Sequence, residues 1–259
     1  MSECRVSFAP GTDHEAATAQ ALECLRRNGV VVLDDVIDPA LIARCKTEIE
    51  ANYPDLGKID RVRNYGPYEG RHTMGMRVEG ALGERDILLP QPVQTIATAL
   101  LGEMFMFDSF GLLVSVPGAP DQVRHPDGSL FPEVKVEFML PPFALAVAMP
   151  LVPMDAISGP TAFWLGSHRK AEALGDHDFA PHVMPGSMIL WDFRTKHCGL
   201  ANRGTAPRPV IYSVLARYWW VEFEPPKAKL YDKLVMARAF HAALGERMQY
   251  RTRRAKLID

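Results

Sequence analysis

The part of the chain after Met104 consists of short apolar segments separated by proline and glycine, and this pattern constrains the fold most strongly. The segments occupy 104–116, 134–139, 143–152, 161–165, 187–193 and 209–221. Many short strands at this spacing, with turn residues between them, are typical of a β-sandwich or a β-barrel. Because sheets of this kind often form one unit at this length, we expect residues 1–259 to make a single domain.

The residues before the strand-rich part predict helices with a strand between them. His14 to Asn28 carries apolar residues at helical spacing and stops at Gly29, which favours a helix C-terminus. Val30 to Leu33 predicts a buried strand. Asp38 and Pro39 then open a second helix, because Asp38 can cap it and Pro39 suits its first turn.

Three further regions complete the organisation that the sequence predicts. A helix from Pro92 to Leu101 closes a largely helical N-terminal part at about 12–102, which precedes a β core at about 104–222. A C-terminal helix is expected at 227–248, packed outside the sheet. Residues 58–80 are rich in Gly, Tyr and Arg without a clear period, so we expect a long irregular loop with a functional role.

Composition and targeting signals exclude several classes of partner. The formal net charge of −2 gives no reason to expect a nucleic acid. The four cysteines form no CxxC pair, which argues against a zinc ribbon or a disulfide framework. No secretory signal or membrane-spanning run is visible, so we expect a cytoplasmic, soluble protein without a membrane partner. Pairing through a sheet edge or the C-terminal helix would give a homodimer, which the sequence leaves open.

The strongest chemical signal lies at His125 and Asp127. The two residues are two positions apart, so in an extended chain their side chains leave the same face. Two histidines and one carboxylate form the facial triad of non-haem iron(II) sites, so a second histidine is required. His197 is the best candidate, since it follows the apolar segment 187–193 and a ligand at a strand end is held rigidly.

Arg208 begins an otherwise apolar segment, which is unusual because burying a guanidinium without an anionic partner is costly. A carboxylate of a bound acid would satisfy it through two parallel hydrogen bonds. A surface arginine at the start of a strand is the alternative that the local sequence leaves open.

Together these features resemble the phytanoyl-CoA dioxygenase family of iron(II)- and 2-oxoglutarate-dependent oxygenases. The resemblance spans most of residues 25–220. It rests on four motifs, namely His125-x-Asp127, Ser158-Gly159-Pro160-Thr161 through Gly166-Ser167-His168, Pro185-Gly186-Ser187 through Asp192, and His197-x4-Asn202-x5-Arg208.

The resemblance implies a fold, a set of ligands and a reaction. The implied fold is mainly β with flanking helices, a double-stranded β-helix or jelly roll of the cupin type. His125, Asp127 and His197 match the iron ligands, and Arg208 matches the arginine that holds the distal carboxylate of 2-oxoglutarate. Thr161 and Gln122 stand where relatives place further contacts to this co-substrate.

The implied reaction consumes dioxygen and 2-oxoglutarate, releases succinate and carbon dioxide, and oxidises a C–H bond of the substrate, with hydroxylation as the default outcome. Two positions refine this expectation. Asp127 is retained, whereas halogenating relatives replace this carboxylate with a small residue, so halogenation is disfavoured. Gly199 stands where some relatives have a hydroxyl residue, so one contact to 2-oxoglutarate is missing.

The substrate is the least constrained part of the prediction, and a small, partly apolar metabolite is favoured over a protein. We expect a lid at 58–80 to turn side chains toward the metal, and Phe143 to wall the pocket. Arg71 and His72 could bind an anionic group of the substrate or reinforce the 2-oxoglutarate site. The candidate lid contacts are Asn64, Tyr65, Arg71, His72 and Met74.

Two other functions stay open at the level of sequence. One is an iron dioxygenase of the cupin type that works without 2-oxoglutarate, against which Arg208 and Thr161 speak. The other is a binding or sensor protein that uses the same scaffold without catalysis.

Overall fold

The computed structural model describes residues 4–57, 70–131, 136–170, 175–221 and 232–259. Its strands are β1 (Arg5–Ser7), β2 (Val30–Asp34), β3 (Arg71–Gly75), β4 (Arg77–Val78), β5 (Met106–Ser115), β6 (Ala144–Pro150), β7 (Thr161–Phe163), β8 (Met188–Asp192), β9 (His197–Gly199), β10 (Arg208–Ala216), β11 (Val235–Ala237) and β12 (Lys256–Ile258). Its α-helices are α1 (His14–Asn28), α2 (Pro39–Asn52), α3 (Arg85–Leu88), α4 (Gln91–Leu101), α5 (Arg238–Ala243) and α6 (Glu246–Arg251).

A seven-stranded sheet in the order β1-β2-β8-β6-β10-β5-β3 forms the centre of the molecule. Its strand pairs are antiparallel except for β1 and β2, which are parallel. Side chains alternate between its two faces. On β6, Leu145, Val147 and Met149 pack in one hydrophobic cluster with α1, α2 and α4, whereas the intervening alanines face a second cluster.

A second layer covers the other face of this main sheet. Strands β7 and β9 pair with each other, and bridges extend the pair to His125 on one side and Phe179 on the other. The cluster between the layers joins Phe163 and Phe179 to Val210 and Val214 of β10. Two sheets facing each other across a shared core are the arrangement expected of a jelly roll.

The helix and strand predicted at the N-terminus are confirmed at the residues where the sequence placed them. Helix α1 is capped by Asp13, whose side chain accepts hydrogen bonds from the backbone N–H groups of Glu15 and Ala16. It ends at Gly29, where φ is +80° and the backbone N–H donates to the Leu25 carbonyl. This left-handed turn leads directly into β2.

The C-terminal region differs from the single helix expected at 227–248. Residues 227–231 lie outside the described part of the chain. Residues Val235–Ala237 form β11, which pairs in parallel with β4 and β12, and two short helices follow. The apolar spacing that suggested one helix instead reflects a strand followed by two short helices, with a break at Gly245 before α6. Three residues of this region are partly buried against the cluster that contains α1, α2 and α4, namely Phe240, Leu244 and Met248.

The region expected to be an irregular loop at 58–80 is partly regular. Residues 58–69 lie outside the described part, but Arg71–Gly75 forms β3 at the edge of the main sheet. The strand pairs with β5, so the alternation of its side chains is imposed by its neighbour rather than by its own polar sequence. The strand expected at 134–139 also differs, because Glu137–Met139 forms a short 3-10 turn and 132–135 is not described.

All four cysteines are buried and free of disulfide bonds. No helix in the described ranges has the length and apolar character needed to cross a bilayer.

Replacing Gly29 tests how closely α1 is fitted to the turn that precedes β9. A Cβ there would lie 2.4 Å from Thr195 Oγ1 and 2.5 Å from His168 Nδ1, and the residue has positive φ. We expect Gly29→Ala to lower the free energy of unfolding by roughly 3 kcal/mol through strain and overpacking. The measurement is denaturant-induced unfolding.

Gly118→Ala is the matched control, because φ is +81° there and nothing lies within 4 Å of the added Cβ. It should cost only the backbone strain of about 1 kcal/mol. Equal losses for the two variants would contradict the close packing at Gly29.

Candidate metal centre and its cavity

His125 and His197 are joined by their backbones before their side chains are considered. The N–H of each donates to the carbonyl of the other, at 3.0 Å and 2.9 Å. Residues directly opposite in an antiparallel pair direct their side chains to the same face. The two imidazole rings therefore lie side by side, with centroids 4.6 Å apart.

The Nδ1 atom of each imidazole lies within hydrogen-bonding distance of a backbone carbonyl. His125 Nδ1 lies 2.7 Å from the Val123 carbonyl and His197 Nδ1 lies 2.9 Å from the Thr195 carbonyl. A ring nitrogen that donates in this way leaves Nε2 as the acceptor nitrogen of the neutral ring. Both histidines are therefore set up to ligate through Nε2, as is common in metal sites.

Asp127 completes a cluster whose ligand atoms lie within 4.8 Å of one another. Its backbone N–H donates to the Phe193 carbonyl at 3.1 Å, and its Oδ1 lies 3.4 Å from His197 Nε2. Its Oδ2 accepts a hydrogen bond of 2.7 Å from the indole Nε1 of Trp191. Two imidazole nitrogens and one carboxylate oxygen on one side of a cavity are the donor set that suits non-haem iron(II).

The charges within the cluster are coupled. Burial is the largest influence on the pKa of Asp127 and acts to raise it, but attraction to His197 and His125 together with the hydrogen bonds of the carboxylate makes the net shift downward. Burial is likewise the largest influence on the pKa of His197 and acts to lower it, but the charge of Asp127 together with the hydrogen bonds of the ring makes the net shift upward. Burial and the proximity of His197 lower the pKa of His125. Asp127 and His197 thus favour each other's charged forms, and a divalent cation would compete with a proton at His197.

A cavity of about 360 Å³ opens between the two sheets beside this cluster. Apolar and polar side chains are mixed around it, and on the face of the main sheet Arg208, Val210, Tyr212 and Val214 of β10 all line it. The lining residues are Arg71, His72, Thr73, Ser109, Leu113, Gln122, His125, Pro126, Asp127, Ala148, Met154, Thr161, Trp191, Phe193, His197, Gly199, Arg208, Val210, Tyr212 and Val214.

Arg208 lines this cavity, and only 2% of its surface is exposed. Its Nη1 lies 3.2 Å from the thioether of Met154, and its Nε has no hydrogen-bond partner among the residues that the structure describes. Burial lowers the pKa of Arg208 to about 10, and the positive charge of Arg71 acts in the same direction. A thioether is a weak acceptor, so no hydrogen bond from this guanidinium to the described residues supplies the anion that would offset its burial.

Arg71 lies on the same face of the main sheet as Arg208, because both pair with Ser115 of β5 from opposite sides. Its guanidinium donates to the carbonyls of Pro120, Gly199 and Leu200, and within the described ranges its Nε has no partner. Burial lowers the pKa of Arg71, and the charge of Asp121 opposes that shift.

The surroundings of Gly199 leave no room for the hydroxyl side chain that the resemblance led us to consider at this position. Gln122 Oε1 accepts a 2.6 Å hydrogen bond from the Gly199 N–H, and the Gln122 N–H donates to the Gly199 carbonyl. A Cβ at this position would lie 2.8 Å from Gln122 Oε1 and 3.2 Å from Arg71 Nε. The side chains of Gln122 and Arg71 thus fill the space that a residue larger than glycine would occupy.

The structure gathers some of the remaining predicted site residues around the cavity and places others elsewhere. Thr161 pairs with Gly199 and lines the cavity. His72 borders it and is buried, although its Cβ leaves the opposite face of β3 from Arg71.

Two predicted substrate contacts lie away from the cavity, and two cannot be placed. Met74 packs against the helix-side cluster instead of facing the metal, because its partner in register, Leu112, belongs to that face. Phe143 lies one layer behind the wall, packed against Phe193 and Trp220. Asn64 and Tyr65 lie outside the described residues.

Sequence reasoning missed several residues of the cavity. The sequence does not single out Trp191 or Met154 as site residues, because nothing local distinguishes a tryptophan or methionine that contacts a polar group. Tyr212 and Ser109 alternate with core residues of β10 and β5, and the alternation becomes interpretable only when the buried face carrying the ligands is known.

Comparisons with known proteins agree with the fold and the cluster. The profile of the phytanoyl-CoA dioxygenase (PhyH) family matches residues 25–210. The dioxygenase trt7 of Aspergillus terreus is 25% identical over 195 residues, which cover 71% of this chain and 68% of that protein.

Two solved structures are similar in fold. The epimerase SnoN of nogalamycin biosynthesis, in complex with Fe3+, alpha ketoglutarate and nogalamycin RO, gives a TM-score of 0.61 at 18% identity over 83% of this chain and 90% of that chain. HygX from Streptomyces hygroscopicus, with nickel, 2-oxoglutarate and hygromycin B bound, gives 0.62 at 10% identity over 80% and 90%.

The fold and the cluster therefore define a jelly-roll enzyme with a candidate metal centre of two histidines and one carboxylate. The chain belongs to the phytanoyl-CoA dioxygenase family, as the sequence motifs predicted.

The raised pKa of His197 predicts how metal affinity depends on pH. Below that pKa a cation must displace the proton, so affinity should fall by about tenfold per pH unit for each proton released, and it should level off above the pKa. Anaerobic titration of the metal-free protein with Co(II), in buffers that do not bind the metal, measures this dependence. An affinity that is constant across mildly acidic pH would contradict the coupling of His197 to Asp127.

Proposed function

We propose that the protein is an iron(II)- and 2-oxoglutarate-dependent dioxygenase that hydroxylates a C–H bond of a small, partly apolar metabolite. His125, Asp127 and His197 would hold the iron, and 2-oxoglutarate would bind between the metal and Arg208. The observation that carries the proposal is the buried guanidinium of Arg208, which lines the same cavity and whose Nε has no hydrogen-bond partner within the described ranges.

The cation site and Arg208 would bind opposite ends of a keto diacid. The keto acid end of 2-oxoglutarate would chelate the cation, and its distal carboxylate would reach Arg208. That carboxylate supplies the bidentate acceptor that Met154 cannot provide. A cation site and a buried arginine that line one cavity would thus favour a ligand with an anionic group at each end.

Arg71, Thr161 and Gln122 would support the same ligand. Arg71 carries its charge close enough to Arg208 to lower the pKa of that guanidinium, so one carboxylate can interact with both. Its three backbone contacts fix the guanidinium and leave Nε to donate to the ligand. Gln122 and Thr161 meet at Gly199 and border the cavity on the side of β9.

The chemistry would be divided between the cofactor and the chain. Bound iron(II) would supply the activation of dioxygen, coupled to oxidation of 2-oxoglutarate to succinate and carbon dioxide. The chain itself orients the two histidines through the carbonyls of Val123 and Thr195 and fixes Asp127 through Phe193 and Trp191. The two sheets that flank the cavity would limit the access of bulk water to the reacting groups.

The apolar part of the cavity lining supports a substrate with apolar surface. Leu113, Val210 and Val214 belong to it, with Ser109 and Tyr212 as polar groups among them. SnoN and HygX were each solved with a small molecule bound, nogalamycin RO and hygromycin B respectively. A small metabolite is therefore the substrate class that we propose for this chain.

An iron dioxygenase that does not use 2-oxoglutarate would give the buried guanidinium groups of Arg71 and Arg208 no carboxylate from the co-substrate. Succinate formation that requires both iron(II) and 2-oxoglutarate separates the two functions. Its absence from wild type under all substrates tested, together with failure to bind 2-oxoglutarate, would overturn the proposal.

Arg208→Lys tests the co-substrate contact directly. Lysine keeps the charge but loses the planar pair of donors, and truncating a buried charge contact typically weakens binding by roughly 100-fold. We expect the KM for 2-oxoglutarate in the succinate assay to rise by about that factor, while the affinity for Co(II) stays unchanged.

Arg5→Lys is the matched control for this substitution. Arg5 also contacts a carboxylate, that of Asp34, but on β1 at the edge of the main sheet opposite β3. The KM of Arg5→Lys for 2-oxoglutarate should match that of wild type. An unaltered KM in Arg208→Lys would remove Arg208 from the co-substrate site.

A further inference from the structure

Trp191 contacts the candidate ligands Asp127 and His197 but is not itself a candidate ligand. Its indole Nε1 donates a 2.7 Å hydrogen bond to Asp127 Oδ2. Its ring also lies against that of His197, with centroids 5.3 Å apart. Trp191 therefore contacts two of the three candidate ligands. Its indole nitrogen contacts Asp127, and its ring contacts the ring of His197.

The hydrogen bond makes the two oxygens of Asp127 inequivalent. Oδ1 faces His197 Nε2 at 3.4 Å, on the side where the ligand atoms converge. Oδ2 is held by the indole on the other side. Turning the carboxylate so that both oxygens face the cation would break this hydrogen bond and leave a buried indole N–H without a partner, which is costly.

The frame around the indole is rigid. Trp191 pairs with Val30 on one side and with Ala146 on the other, so β8 is hydrogen-bonded along both edges at this residue. The small side chain of Ala146 leaves room beside it on the same face. Asp127 is bound to the same strand end, since its N–H donates to the Phe193 carbonyl. Donor and acceptor are thus fixed by a common strand.

Neighbouring rings hold the indole in its plane. Phe163 lies at 5.6 Å and Tyr212 at 5.9 Å between centroids, and only 4% of Trp191 is exposed. Side chains packed on several sides lose rotamer freedom, so the direction of the N–H is determined by the core.

We propose that Trp191 is a positioning residue that holds Asp127 as a single-oxygen ligand of the metal. Carboxylates bind cations through one or through both oxygens, and the second mode takes an additional coordination position. With one oxygen bound, the triad fills three positions of an octahedral cation and leaves three open. That these three positions serve the keto acid and dioxygen rests on the proposed function, whereas the single-oxygen binding of Asp127 does not.

Trp191→Phe removes the N–H donor and keeps an aromatic ring beside His197. Loss of a hydrogen bond to a metal ligand typically weakens metal binding by roughly 10- to 100-fold. We expect this loss of Co(II) affinity in anaerobic titration without 2-oxoglutarate, together with a changed visible absorption spectrum of the bound Co(II). A merely structural role for the indole would leave that spectrum unchanged in the protein that binds.

Trp220→Phe is the matched control, because Trp220 has the same 4% exposure and packs in the same cluster against Phe143 and Phe193, one layer from the metal. Its Co(II) affinity and spectrum should equal those of wild type. Equal Co(II) affinity and spectrum in Trp191→Phe and wild type would overturn the inference and leave the proposed function standing. Failure of wild type itself to bind Co(II) would overturn both.

A measurement on wild type decides the question even if Trp191→Phe does not fold. Infrared difference spectroscopy of the protein with isotope-labelled aspartate, with and without Co(II), reports the separation of the two carboxylate stretching bands. Binding through one oxygen widens this separation relative to the free carboxylate, and we expect a widened separation for the aspartate that responds to the metal. A narrowed separation, as in two-oxygen binding, would contradict the role of Trp191.

Discussion

The exchange of two backbone hydrogen bonds between His125 and His197 is the interaction on which the rest of the site depends. It joins the segment around His125 to β9, and β9 in turn pairs with β7 to cover the main sheet. Because opposed residues share a face, the same pairing that builds the second layer brings two imidazoles together. The metal centre is therefore a property of the sheet rather than of a loop placed upon it.

The cavity follows from an imbalance of side-chain size between the two faces of the main sheet. On β6 the helix-side residues Leu145, Val147 and Met149 fill their layer, whereas the alternate alanines leave volume on the other side. Polar groups buried around that volume form a cluster of ligands and, nearby, two arginines. Each group is costly to bury alone, and a bound cation with a dianionic acid would satisfy them together.

Sequence alone could predict the elements whose signals are local. Asp13 and Gly29 mark the ends of α1, and the two-residue spacing of His125 and Asp127 places their side chains on one face. Partners distant in sequence could not be read in this way. The bond from Trp191 to Asp127 joins residues 64 positions apart, and β3 is a strand because β5 lies beside it. The prediction of one helix at 227–248 was wrong for the same reason, because β11 forms by pairing with β4, which is distant in sequence, and with β12, which lies beyond the predicted helix.

The central claim is that a cation at His125, Asp127 and His197 and a keto diacid anchored at Arg208 bind as one unit. Anaerobic titration of the iron(II)-loaded protein with 2-oxoglutarate tests it most directly, through the weak visible charge-transfer band of a keto acid chelated to iron(II). We predict a saturable band that is lost when the keto acid is replaced by succinate. Binding of iron(II) without any band, at concentrations where 2-oxoglutarate saturates comparable sites, would contradict the account.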